Sequence, residues 1–154
     1  MKSILFVCLG NICRSPAAEG VMTTLLKKHG ITNVLVDSAG TSAYHVGDMA
    51  DMRMKDHARL RGYELNSLAR RFDPMDDFKK FDLILTMDQS NYNNVLRLAP
   101  QEELKAKVQR FTDWCKIHEV SEVPDPYSGG AEGFELVMDI IEDGCQQILI
   151  KLRD

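Results

Sequence analysis

Cys8 and Arg14, separated by five residues in Cys8-Leu-Gly-Asn-Ile-Cys-Arg14-Ser15, are the groups that sulfur-based attack on a phosphate monoester needs. Cys8 is the candidate nucleophile and Arg14 the candidate clamp. The stretch between them, Leu9, Gly10, Asn11, Ile12 and Cys13, can curl into a cup whose N–H groups point at a phosphoryl group. A guanidinium then closes the rim with two parallel charge-assisted hydrogen bonds. Lysine suits this less well, because its ammonium is a point charge. Gly10 supplies freedom for the curl, and Asn11 is one of the few side chains that tolerates the left-handed backbone region.

Ser15 followed by Pro16 reads as an N-cap and a first helical position, so a helix is expected to start here and aim its N–H groups and positive dipole end at the loop. An anion is thereby favoured in the cup. The same field, with Arg14, is expected to lower the pKa of Cys8, and Ser15 can hydrogen-bond the thiolate. The plain alternative for Cys8 is a small buried hydrophobe at a strand end. An apolar strand, then Gly and Asn inside the loop, then Ser-Pro and a helix favour the chemical reading.

The elements that must hold this loop follow from pattern. Ile4-Leu-Phe-Val7 is apolar on both faces and fits a central parallel strand. A helix is expected over 16–29, stopped at Gly30, then a strand at 34–36 leading into Asp37-Ser-Ala-Gly40 and a polar loop carrying Tyr44. A helix over about 51–60 follows, then a loop around Asp73-Pro74 and a strand at 82–86. Asp88 or Ser90 can cap a helix to about Leu98, and 107–111 reads as a fourth strand. Residues 121–133, with two prolines and three glycines, must be loop. The longest helical pattern, over 132–152, sets Phe134, Val137, Met138, Ile141, Cys145, Ile148 and Leu152 on one face. Strands alternating with helices imply an α/β fold: a parallel sheet covered on both sides, with ligands at the carboxyl ends of the strands, where Cys8 falls.

At 154 residues, one domain over 1–154 is expected. Hydrophobic content of 44% and charged content of 27% are those of a globular chain, and a net charge of −4 gives no support for nucleic-acid binding. The opening apolar run is too short for a signal peptide or a membrane span, so a cytoplasmic protein without membrane contact is expected. The four cysteines are read as thiols, and the four histidines show no metal-ligand pairing and are taken as surface or core.

Attack by Cys8 expels an alkoxide or phenoxide, which needs a proton. Asp125 is the candidate acid. It stands in Pro124-Asp-Pro-Tyr-Ser-Gly-Gly130, where two prolines stiffen the backbone and the glycines permit a turn, so its carboxyl can be held over a pocket mouth. A simple turn-forming aspartate is the alternative. Cys13 also has two readings: apolar filler beneath the loop, or a thiol that captures an oxidised Cys8 as a disulfide.

With the Cys8 to Ser15 motif at one end and Asp125-Pro-Tyr127 near the other, the chain resembles the low-molecular-weight protein tyrosine phosphatases. Asp37-Ser-Ala-Gly-Thr41, Ala69-Arg70 and Met87-Asp-Gln-Ser-Asn91 extend the likeness over nearly the whole length. The resemblance implies a four-stranded parallel sheet with helices on both faces, a phosphocysteine intermediate, and no metal or other cofactor. It implies a hydrogen-bond network of Asn11, Ser15 and Ser38 that supports the loop, and a pocket walled by Tyr44 and Tyr127. Its partners would be phosphotyrosine-containing proteins, met by a monomer or weak homo-oligomer. The chain departs from many animal members at Ser67, where they have a histidine, and at Ser128, where they have a second tyrosine.

Rival readings share the loop. Arsenate reductases of this fold carry further cysteines around the third strand, and residues 81–100 here have none. Protein-arginine phosphatases typically place threonine where Ile12 stands, and Ile12 favours an aromatic substrate. A phosphocarrier must preserve its phosphoryl group and has little use for Arg14 or Asp125, and a phosphate-binding module without turnover is the remaining non-enzyme reading.

Overall fold

The computed structural model describes residues 1–127 and 129–154, so the departure at Ser128 lies outside the described residues. Strand β1 (Ser3–Cys8) is central, paired in parallel with β2 (Leu35–Gly40) on one side and β3 (Leu83–Thr86) on the other. Strand β4 (Val108–Arg110) joins β3, giving the order β2-β1-β3-β4. The expected four-stranded parallel sheet is therefore present. Successive residues of β1 serve opposite faces, as the pleat requires. Ile4 and Phe6 pack with α1 (Arg14–Lys28), α2 (Met52–Leu60) and α5 (Ala131–Arg153), whereas Leu5 and Val7 pack with α3 (Pro74–Lys80) and α4 (Gln89–Arg97). Each such side chain, wholly removed from water, contributes about 1.5–3 kcal/mol. Among the described residues no helix is long and apolar enough to cross a membrane.

Several boundaries differ from expectation. Strand β2 runs to Gly40 instead of ending near 36, because parallel pairing from Ser3↔Leu35 to Cys8↔Gly40 continues regardless of the polarity of Asp37 and Ser38. The Asp73-Pro74 segment opens helix α3: Asp73 accepts from the Met75 N–H at 3.1 Å and Pro74 takes the first helical position, where its missing N–H costs nothing. Short 3₁₀ turns, Glu102–Lys107 and Phe111–Trp114, flank β4. Helix α1 begins at Arg14, so Cys13 occupies the cap position and Ser15 is not the N-cap. The Ser15 hydroxyl is engaged elsewhere, against the Cys8 sulfur.

Helix α5 also ties down the segment that follows β4. The Asp143 carboxylate, 1% exposed, accepts the N–H groups of Lys116, Ile117 and His118 at 3.0, 2.9 and 2.8 Å and faces His118 Nδ1 at 3.1 Å. Burial alone would raise its pKa, but the hydrogen bonds outweigh burial and hold it below the ordinary value. A carboxylate depressed in this way stabilises the fold above its unfolded pKa, and that contribution disappears as pH falls through the folded one. Asp143→Ala is expected to lower stability by about 2 kcal/mol at neutral pH, since it strands backbone donors. Thermal melts should show the gap to the parent starting to narrow below about pH 4, the ordinary carboxylate value, and closing only at the lower pH where the folded carboxylate protonates. A gap independent of pH would mean that packing, not charge, anchors the segment.

Candidate active site

In the order β2-β1-β3 the neighbours of β1 are reached by connections that leave to opposite sides, so a crevice opens at the carboxyl end of that strand. Cys8 is the last residue of β1. The chain then curls through residues 9–13, and its carbonyls are taken up from outside: Thr41 N–H on Cys8, Ser42 N–H on Leu9 and Asp51 N–H on Ile12, at 2.9, 3.0 and 2.8 Å. Carbonyls held outward leave the amide groups of the loop for the interior of the cup.

Asn11 adopts the left-handed conformation, φ 56°, as its residue type allows. Gly10 serves differently from expectation. Its φ is not positive; a Cβ there would lie 2.9 Å from the His45 ring. Gly40 is needed for the same kind of reason, because a Cβ would meet the Leu9 carbonyl oxygen at 2.8 Å where β2 passes under the loop.

Beneath the cup the Asn11 side chain is pinned at three points. Its Oδ1 accepts the Arg70 N–H at 2.9 Å, and Nδ2 donates to Ser15 Oγ at 2.7 Å and Ser38 Oγ at 2.9 Å. Ser38 in turn donates to Glu19 at 2.5 Å. Burial raises the pKa of Glu19, with the hydrogen bond from Ser38 pulling the other way, and Ser67 lines the same surface groove as Glu19. The Cys8 sulfur receives the Asn11 N–H at 3.3 Å and lies 3.0 Å from Ser15 Oγ. A thiolate has no proton to give, so once Cys8 ionises Ser15 is the donor. Asn11 and Ser15 thus turn their side chains under the loop, away from the pocket.

Arg14 opens helix α1 with its side chain 3% exposed. Its Nη1 donates to Asp88 at 2.7 Å and to the Val123 carbonyl at 3.0 Å, while Nη2 lies 3.7 Å from Asp125 Oδ2. Burial works against its charge, but Cys8, Asp88 and Asp125 outweigh burial and keep it protonated. Asp88 was expected only as a cap for α4. It does cap, accepting the Asn91 N–H at 2.8 Å, and its other oxygen aims the arginine.

These residues line a pocket of about 320 Å³, floored by Cys8, Ile12 and Cys13 and edged by Leu9, Arg14 and Asp125. Asp125 closes a turn and also borders the pocket. Its Oδ1 accepts the Tyr127 N–H in a tight turn at 3.1 Å, and its half-exposed carboxyl faces Arg14 across the mouth. Tyr127 and Tyr44 stand on the rim, the latter 89% exposed. His45, taken from sequence as surface or core, fills the gap between them with ring centroids 5.6 and 6.1 Å from Tyr44 and Tyr127. Its only sequence signal was adjacency to Tyr44. Cys13 is buried beside Cys8 and both are free thiols. Burial first, then Asp51, Cys8 and Asp125, push the Cys13 pKa far up, against a small opposing effect of Arg53.

A sulfur, a guanidinium and a carboxyl around an amide-lined cup can accept a tetrahedral anion, attack its centre and return a proton to the departing group. A family model described as low molecular weight phosphotyrosine protein phosphatase matches residues 3–154. A low molecular weight phosphotyrosine protein phosphatase of Schizosaccharomyces pombe is 43% identical over 85% of this chain and 84% of its own. Among solved structures, the Entamoeba histolytica protein tyrosine phosphatase with Hepes in the active site superposes with a TM-score of 0.95 at 47% identity, covering 99% of this chain and 97% of that one. YfkJ from Bacillus subtilis gives 0.90 at 34% identity, over 99% and 95%.

Proposed function

Given a chain that belongs to the low molecular weight phosphotyrosine protein phosphatase family, we propose that it hydrolyses phosphotyrosine in protein substrates in two steps at this pocket. The Cys8 thiolate attacks phosphorus while Arg14 and the loop amides hold the equatorial oxygens. As the S–P bond forms, the P–O bond to the phenol breaks, and Asp125 gives its proton to the leaving oxygen. Water then attacks phosphorus, its proton passes to Asp125, and the S–P bond breaks to restore the thiolate and free inorganic phosphate. What supports the reading is the convergence on one pocket of Cys8, Arg14 and Asp125, with Nη2 of the arginine 3.7 Å from the carboxyl. Four free thiols support a reducing compartment, and the cytoplasm is the proposed location.

The rim of Tyr44, His45 and Tyr127 favours a flat ester, because rings contribute about 0.5–1.5 kcal/mol by stacking and a long phenol reaches the cup where a short serine ester does not. On a matched peptide panel, phosphotyrosine is expected to be cleaved at least about tenfold faster than phosphoserine, and ahead of phosphoarginine. Fastest release from phosphoarginine would transfer the assignment to the arginine-directed activity.

Cys13 is proposed as the partner that rescues an oxidised Cys8. Peroxide transfers a hydroxyl to the Cys8 thiolate, leaving hydroxide; the Cys13 thiolate then attacks the sulfenic sulfur, closing the disulfide and expelling hydroxide. With its pKa raised, Cys13 is rarely ionised, so capture is expected to be slow and to quicken with pH. Peroxide-treated parent should recover activity in dithiothreitol while Cys13→Ser should not. Equal recovery would leave Cys13 as filler.

A further inference from the structure

Among the described residues, the hydrogen bonds that tie residues 125–127 and 129 to the rest of the fold come from one side chain, Arg53, in the first turn of α2. Its Nη2 donates to the Tyr127 carbonyl at 2.6 Å and its Nη1 to that of Gly129 at 3.5 Å. The guanidinium lies over the rings of Tyr127 and Phe134, 5.6 and 4.8 Å from their centroids. Inside the segment, bonds are local: Tyr127 N–H to Asp125, and Gly129 N–H to the Pro126 carbonyl.

Arg53 is itself held from the phosphate loop. Asp51, the N-cap of α2, accepts the Arg53 N–H at 2.9 Å and Nη2 at 3.1 Å, and its own N–H donates to the Ile12 carbonyl at 2.8 Å. Burial would raise the Asp51 pKa, but the bonds from Arg53 and Met54 outweigh it, which keeps the carboxylate charged toward Arg53. A continuous path thus runs from Ile12, beside the attacking sulfur, through Asp51 and Arg53 to the turn that carries Asp125.

We propose that Arg53 is the positioning residue for the general acid, fastening the Tyr127 and Gly129 carbonyls to the phosphate loop so that the Asp125 carboxyl stands over the leaving oxygen. The proposal rests on the reading of Asp125 as the acid. Arginine suits the task because a planar fork serves two carbonyls in different directions while its face stacks on two rings. Without that anchor the segment is held mainly by the burial of Pro126 and the exposed Asp125 carboxyl spreads over more positions, and a misplacement of about 1 Å can cost about a hundredfold in rate.

The test is kcat/KM over a series of aryl phosphates of increasing phenol pKa, for the parent, Arg53→Ala, Asp125→Asn and the double variant. Arg53→Ala is expected to lose about tenfold or more with the least acidic phenol and less than about threefold with the most acidic. Added to Asp125→Asn, it should change kcat/KM less than about twofold, because the group it positions is already gone. Arg53→Lys, which keeps the charge and a single donor group, should show the same ordering at smaller size if the alanine variant folds poorly. A loss uniform across leaving groups, or a further full loss in the double variant, overturns the proposal. Parent-like leaving-group dependence in Asp125→Asn alone would instead remove Asp125 as the acid, and the role proposed for Arg53 with it.

Discussion

Cys8→Ser will lose turnover of phosphotyrosine by about 10⁶-fold, the scale on which deleting a nucleophile disables other enzymes, while still binding phosphate or vanadate. The groups bonded to this sulfur are both donors, the Asn11 N–H and the Ser15 hydroxyl. They stabilise a thiolate. Neither is a base that can take the proton from a serine, whose hydroxyl scarcely ionises near neutral pH. The cup is made of backbone amides and of Arg14, which is fixed by Asp88 and Val123, so the substitution leaves the anion site intact. Single-turnover assays together with phosphate titration by calorimetry separate the two effects. Steady turnover within about tenfold of the parent would take the nucleophile role from Cys8, and loss of phosphate binding would mean the substitution had disturbed the loop.

Asp125→Asn is expected to lower kcat/KM by about 10²–10⁴-fold for esters of weakly acidic phenols, and far less where the phenol leaves readily. Asparagine keeps the acceptor that closes the turn on the Tyr127 N–H, so the backbone of the segment is retained. What it lacks is a transferable proton. A plot of log kcat/KM against phenol pKa should therefore fall steeply in the variant and weakly in the parent. Parallel slopes would reduce Asp125 to a turn residue, the alternative that its proline-flanked sequence always allowed.

The chemistry that was legible in the sequence is the chemistry that is local in the chain. Cys8 to Ser15 are contiguous, and the bonds that make the cup, Asn11 N–H to Cys8 and Asn11 to Ser15, span three and four residues. Residue type alone limits what such a short arc can do: Asn11 takes the left-handed conformation, and Arg14 opens the helix. The α5 stripe was equally readable, because helical periodicity maps directly onto burial, although Ile140, Asp143, Gly144 and Leu149 widen the buried face. Ser15 misled because Ser-Pro is a local signal for a cap, and a stronger partner, the Cys8 sulfur, claimed its hydroxyl.

What only the tertiary structure decided lies at long separations. Asp88 reaches Arg14 across 74 residues, the Arg70 N–H reaches Asn11 across 59, and Arg53 reaches Tyr127 across 74. Each pairing depends on which strand lies beside β1 and on the direction in which the following segment leaves it. Asp88 and Arg53 look like an ordinary helix cap and an ordinary surface cation until the parallel order β2-β1-β3-β4 and the packing of α2 on α5 bring the one onto Arg14 and the other onto the Tyr127 carbonyl. The same order makes β2 longer than its apolar core, because a ladder partner, not hydrophobicity, carries Asp37 and Ser38 into the sheet. Residue types pointed to the chemistry; the sheet's neighbour relations decided where Arg14 and the Asp125 carboxyl stand around the cup, since that placement requires contacts between segments that no sequence spacing brings together.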